Sequence, residues 1–174
     1  SEIEELEKRI DELLKELRDL SRRIAEEVKR LLEELKKLSK DSEDKLRELL
    51  ERLKRKGVPE EELRRVEEEV ERVVRESRKL NKETEDELRR LLEEIKESND
   101  RVEKRARELK KLLRDGKDVE EVLRRLEKLV REDKERLKKV LKDARDLIKK
   151  DKDLNEKLSR ELEKLVRELE ERAR

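Results

Sequence analysis

The chain has 174 residues, 54 of them Lys or Arg and 53 Asp or Glu, and it contains no His, Cys, Met or aromatic residue. Those absences remove the imidazole base, the thiolate nucleophile, the usual zinc and haem ligands, the disulfide, and the aromatic platform on which bases and sugars stack. A net charge of +1 exerts no general pull toward nucleic acid or anionic membrane, and no apolar run approaches the ~18 residues of a membrane span.

A charged fraction of 61% would suit a disordered chain, but the apolar residues argue otherwise. They are 32 Leu, 12 Val, 5 Ile and 4 Ala, regularly spaced among Glu, Lys and Arg, the composition of long helices and coiled coils. With no signal-like segment at its start, the expectation is a soluble chain. The lack of Cys is compatible with any redox compartment and assigns no location.

Ser1 with Glu4 forms a capping box that opens a first helix, expected over about 2–56. Gly57 can take the left-handed conformation just past a helix end, and Pro59 suits the first position of a new helix. Glu60, Glu61 and Glu62 then sit where the positive end of the helix dipole favours them. The second helix is expected over about 59–115 and stops at Gly116. Asp118 with Glu121 is a capping-box variant for a third helix, about 119–173. Each helix would be about 80 Å long at ~1.5 Å per residue, and loops this short force neighbours to run antiparallel. The expected fold is all-α: one long antiparallel up-down-up three-helix bundle over 1–174, with coiled-coil-like packing.

Rows of inward positions run from 3 to 53, 63 to 113 and 119 to 169. Each covers 50 residues in 14 steps, about 3.57 residues per step. That lies between a supercoiling heptad seam and a straight 18-residue repeat, so the helices should be nearly straight. The 18-residue spacing recurs in Leu13, Leu31 and Leu49 and in Leu129, Leu147 and Leu165.

Polar residues interrupt these rows. Ser42, Ser77, Thr84, Ser98, Asp133, Asp151 and Asn155 occupy row positions, and Ser21, Ser39, Asn81, Asn99 and Ser159 flank them within the apolar arcs. If position i of the first helix is level with 116 − i of the second and i + 116 of the third, they gather into two sets. The first holds Ser21, Ser98, Asn99 and Asp133. The second holds Ser39, Ser42, Ser77, Asn81, Thr84, Asp151, Asn155 and Ser159. An isolated buried carboxylate is very costly, whereas one supplied with hydroxyl and amide donors is tolerable. Asn81 is the expected amide partner of Asp151. Such sets are lost if a helix slides or reverses, so they would select register and pairing. With one carboxylate each and no accompanying base or nucleophile, they make poor metal or catalytic sites. The remaining charges read as a solvated, mixed-sign surface supported by i, i+4 pairs.

Three matched helices, two minimal loops, idealised caps, the 18-residue repeat and duplicated polar layers make the whole chain resemble computationally designed, parametrically generated helical bundles with built-in buried hydrogen-bond networks. Spectrin-like repeats are the natural comparison, but their aromatic core residues are absent. The resemblance implies a very stable, monomeric structural scaffold with no natural biochemical activity, no catalytic residue, no metal or other cofactor, no small-molecule substrate and no required partner. The alternative is an interaction module that accepts a partner helix or self-assembles.

Overall fold

In the computed structural model, which describes residues 1–173, three helices account for 94% of the chain and pack against each other as an all-α three-helix bundle. They are α1 (Glu2–Arg55), α2 (Glu60–Arg114) and α3 (Val119–Arg172). The ends fall where local chemistry places them. Ser1 Oγ accepts the Glu4 amide at 3.3 Å while the Glu4 carboxylate stands 3.5 Å from the Ser1 amino group, a reciprocal box. Asp118 Oδ1 accepts the Glu120 amide at 3.1 Å. Glu121 does not complete a box there; its carboxylate holds Arg125 at 2.8 Å.

Both glycines have positive φ, +71° at Gly57 and +78° at Gly116. At the second turn the Lys117 amide reaches the Leu112 carbonyl at 3.0 Å and the Gly116 amide the Leu113 carbonyl at 3.2 Å. This pair of bonds satisfies the orphan carbonyls of a helix end and requires the left-handed residue between them. Pro59 departs from expectation by one place. Its carbonyl accepts the Leu63 amide at 2.9 Å, so it caps α2 from just outside instead of opening it. The buried Val58 precedes it, and Leu63 packs on the same aliphatic cluster, which fixes the angle at which the chain enters α2.

The residues group into two units, and each helix contributes a segment to both. Unit 1 comprises 1–30 with 88–144; unit 2 comprises 31–87 with 145–174. Unit 1 holds an aliphatic cluster built on Ile10, Leu17, Ala106, Leu113 and Leu126. Unit 2 holds one built on Leu46, Leu53, Val66, Val70, Leu162 and Val166. The buried stripe of α1 is turned slightly from the expected row: Leu14 and Leu32 are buried, while Leu13 and Leu31 are half-buried at its margin.

Cross-helix ion pairs record the register within each unit. In unit 1, α1 meets α2 through Glu7–Arg114 at 3.1 Å, Asp11–Lys110 and Arg18–Glu103. In unit 2 it does so through Glu43–Arg78 and Lys54–Glu67. In these five pairs the two residue numbers total 121, as antiparallel helices require, while a further pair in unit 2, Arg47–Glu71 at 3.3 Å, totals 118. In unit 2, α1 meets α3 in parallel through Lys45–Glu163 at 2.8 Å and Arg52–Glu170.

The α1–α2 total exceeds the 116 expected from backbone levels in the direction that side-chain geometry requires. Helical side chains lean toward the N-terminus of their own helix, so across an antiparallel pair the groups that touch come from backbone positions displaced toward both C-termini. Charges that the sequence presents as a solvated face are thus partly matched between helices.

A Cβ added at Gly116 would meet nothing within 4 Å, so Gly116→Ala costs only the left-handed backbone conformation. The expected loss is about 1 kcal/mol in a denaturant melt. An unchanged midpoint would mean that the turn closes equally well in another conformation.

Candidate functional site

The candidate site is the polar material inside the helical packing, and the two units carry unequal versions of it. In unit 1, Ser98 on α2 is 1% exposed and Asp133 on α3 is 4% exposed. The Ser98 hydroxyl donates to Asp133 Oδ1 at 2.6 Å. The Arg136 guanidinium approaches the same hydroxyl oxygen at 3.5 Å. Burial pushes the Asp133 carboxyl above the usual Asp range, opposed by the Ser98 hydrogen bond and by the charges of Arg136 and Arg101. Ser21 is buried and Asn99 half-buried, but neither is hydrogen-bonded to Asp133.

Unit 2 is organised around Asn155. Its Oδ1 accepts the Ser77 hydroxyl of α2, and its Nδ2 faces Asn81 Oδ1 at 3.0 Å, Asp151 Oδ1 at 2.7 Å and the Asp151 carbonyl at 2.9 Å. Two N–H bonds thus serve three acceptors. Asn81 Nδ2 in turn donates to Ser39 Oγ on α1 at 2.6 Å. The chain Ser39–Asn81–Asn155 therefore crosses all three helices. Asp151 takes its amide donor from Asn155, one turn along its own helix, and not from Asn81 as the level map suggests; Asn81 instead donates to Ser39 and accepts from Asn155.

Thr84 is buried, and its hydroxyl donates to the Leu80 carbonyl at 3.1 Å. Burial is also the main influence on the Asp151 carboxyl, raising it above its ordinary value, while the nearby Thr84 hydroxyl and the Asn155 amide act in the opposite direction. Ser42 and Ser159 are half-buried and make no hydrogen bond within the set. They line a groove of about 460 Å³ between α1 and α3, together with Leu38, Asp151 and Asn155.

The 18-residue repeat explains the inequality. Ser21, Asn99 and Asp133 match Ser39, Asn81 and Asp151, but the position matching Asn155 is Leu137 and the one matching Ser77 is Ile95. Leu137 and Ile95 are buried aliphatics. Asn99 therefore has no amide opposite it. The sequence shows this difference once 18 is subtracted from 155.

Among the described residues, no three His, Cys, Asp or Glu side chains converge as a metal site would require, and no helix is long and apolar enough to cross a membrane. No protein-family model, curated protein or solved structure matches the chain.

Asn155→Leu removes the amide and leaves Asp151 Oδ1, Asn81 Oδ1 and the Ser77 hydroxyl without their partner. A loss of about 2–4 kcal/mol is expected, from two or more buried polar groups left unpaired. Ser42→Ala and Ser159→Ala should each change stability by less than about 0.5 kcal/mol. Chemical denaturation of the three variants checks this. Similar losses in all three would show that Asn155 has no special place in the set.

Proposed function

We propose that the chain is a designed structural scaffold with no biochemical activity of its own, whose helix pairing is specified by its two buried polar sets. The observation that carries this reading is Asn155, whose carboxamide lies between Ser77 and Asn81 of α2 and Asp151 of α3, with Ser39 of α1 reached through Asn81. Polar atoms aligned across three helices make no ligand cage and no reacting constellation. What they distinguish is one arrangement of helices from the others, the use to which a polar residue in an aliphatic seam is best suited.

Consistency at every level supports a designed origin: matched helices, reciprocal or single-sided caps at their starts, left-handed glycine at both stops, and no matching family. A self-contained scaffold is favoured over a module awaiting a partner helix. Among the described residues, exposed large apolar side chains are confined to Ile3 (40%) and Leu154 (37%), whereas docking surfaces present contiguous apolar patches.

The test compares the parent with a variant in which Ser39, Ser42, Ser77, Asn81, Asp151, Asn155 and Ser159 are all replaced by packed aliphatics. Light scattering after size exclusion should give the parent a single particle of 21.3 kDa. The variant should be as stable or more stable, yet distributed over oligomers, because an all-aliphatic seam accepts any neighbour. A strongly destabilised variant, or a variant that remains one uniquely folded 21.3 kDa species, contradicts the proposal.

A further inference from the structure

The hydrogen bonds around Asp151 leave one atom out. Asp151 is 3% exposed; its Oδ1 accepts Asn155, but its Oδ2 is buried and has no hydrogen-bond partner. The Thr84 hydroxyl, which acts in favour of the ionised carboxyl, directs its proton to the Leu80 carbonyl at 3.1 Å and does not partner Oδ2. An ionised carboxylate would therefore leave a buried acceptor without a donor, whereas a proton on Oδ2 removes the charge from that buried oxygen.

We propose that unit 2 carries an acid-stabilised latch: in the folded state Asp151 holds a proton on its buried, unpartnered Oδ2, and release of that proton as pH rises loosens the polar set. The proton comes from and returns to solvent, and no bond other than O–H is made or broken.

The surroundings of Asp151 fit this role. Ser77, Asn81 and Thr84, the α2 residues in the set, carry no charge. Charged groups in the neighbouring groove are Asp41 and Lys45 on α1 and Lys152, Glu156, Arg160 and Glu163 on α3. None of these six influences the carboxyl, which responds to burial, Thr84 and Asn155. Asp133 in unit 1 is likewise raised by burial, but there Ser98, Arg136 and Arg101 oppose the shift.

The direction of the pH effect follows from linkage. A carboxyl that binds its proton more tightly in the folded state contributes fully below the unfolded value, 3.8. Above 3.8 the unfolded chain ionises first, and stability is lost until pH has risen through the folded value. One such group changes the folding equilibrium by at most about tenfold per pH unit across that window.

Asp151→Asn places an N–H where the latch places an O–H and cannot ionise. Its denaturation midpoint should match the parent's near about pH 4 and exceed it increasingly toward about pH 8. Asp133→Asn should gain less with pH than Asp151→Asn, because Arg136 and Arg101 oppose the burial that raises its carboxyl. In the unmodified protein, the ¹³C carboxyl resonance of Asp151 should titrate with a midpoint above 3.8. Titration at or below 3.8, or an Asp151→Asn midpoint equal to or below the parent's at neutral pH, would overturn the latch. Those results would instead mean an ionised carboxylate served by a rotated Thr84 hydroxyl or by water. If Asp133→Asn gained as much with pH as Asp151→Asn, the latch would not be peculiar to unit 2.

Discussion

A polar group buried between helices needs a hydrogen-bond partner, and an aliphatic one does not; the specificity of this structure depends on that asymmetry. The apolar arcs of α1, α2 and α3 are built from the same few residue types at nearly the same spacing. Sliding one past another exchanges Leu for Leu or Val at little cost. Asn155 does not tolerate the same slide. One helical turn displaces it by about 5.4 Å, out of reach of Ser77 and Asn81. Each buried group then left unpaired costs about 1–3 kcal/mol. Aliphatic packing supplies the cohesion of each unit, and the carboxamide selects among the arrangements that cohesion permits.

The ion pairs at the helix margins act in the same direction with less force. Most have at least one partner more than two-fifths exposed, so solvent screens them and each contributes ~1 kcal/mol or less. Their value lies in agreement: five α1–α2 pairs share one residue-number total, and the sixth, Arg47–Glu71, falls three residues from it. The partner of Arg78 and Arg47 shows the local effect. Glu43 is held below its usual range first by its Arg78 hydrogen bond and then by Arg47, against the opposing cost of burial. This contribution is present above the ordinary 4.5 and fades as pH falls through the folded value, the reverse of the behaviour of Asp151.

Much of the fold was legible because the turn chemistry is sparse and unambiguous. Two glycines and one proline leave few places for the chain to reverse, and each observed helix end lies within a residue or so of the expected one. Pro59 shifted by one position because its carbonyl, which composition cannot reveal, closes the first turn of α2. The polar sets were legible as membership but not as connectivity. Periodicity places Asp133, Asp151, Ser98 and Asn81 inside the packing, and they are buried there. It cannot say that Asn155 rather than Asn81 serves Asp151, since that depends on the direction in which each side chain leans. The cross-helix ion pairs were missed for a related reason. A map of backbone levels pairs positions directly opposite, while long side chains meet several residues away from that line.

The account rests on Asn155 being the hydrogen-bonded centre of unit 2, and the exchange of its side-chain amide protons with solvent tests this most directly. Asn99 is the internal control: like Asn155 it is a half-buried carboxamide, but it lies outside any such set. In a ¹⁵N-resolved exchange measurement, the Asn155 Nδ2 protons should be strongly protected and should exchange only when unit 2 opens, while those of Asn99 exchange freely. Equal, rapid exchange at both residues would contradict the account, because a carboxamide open to water cannot hold three helices to one register.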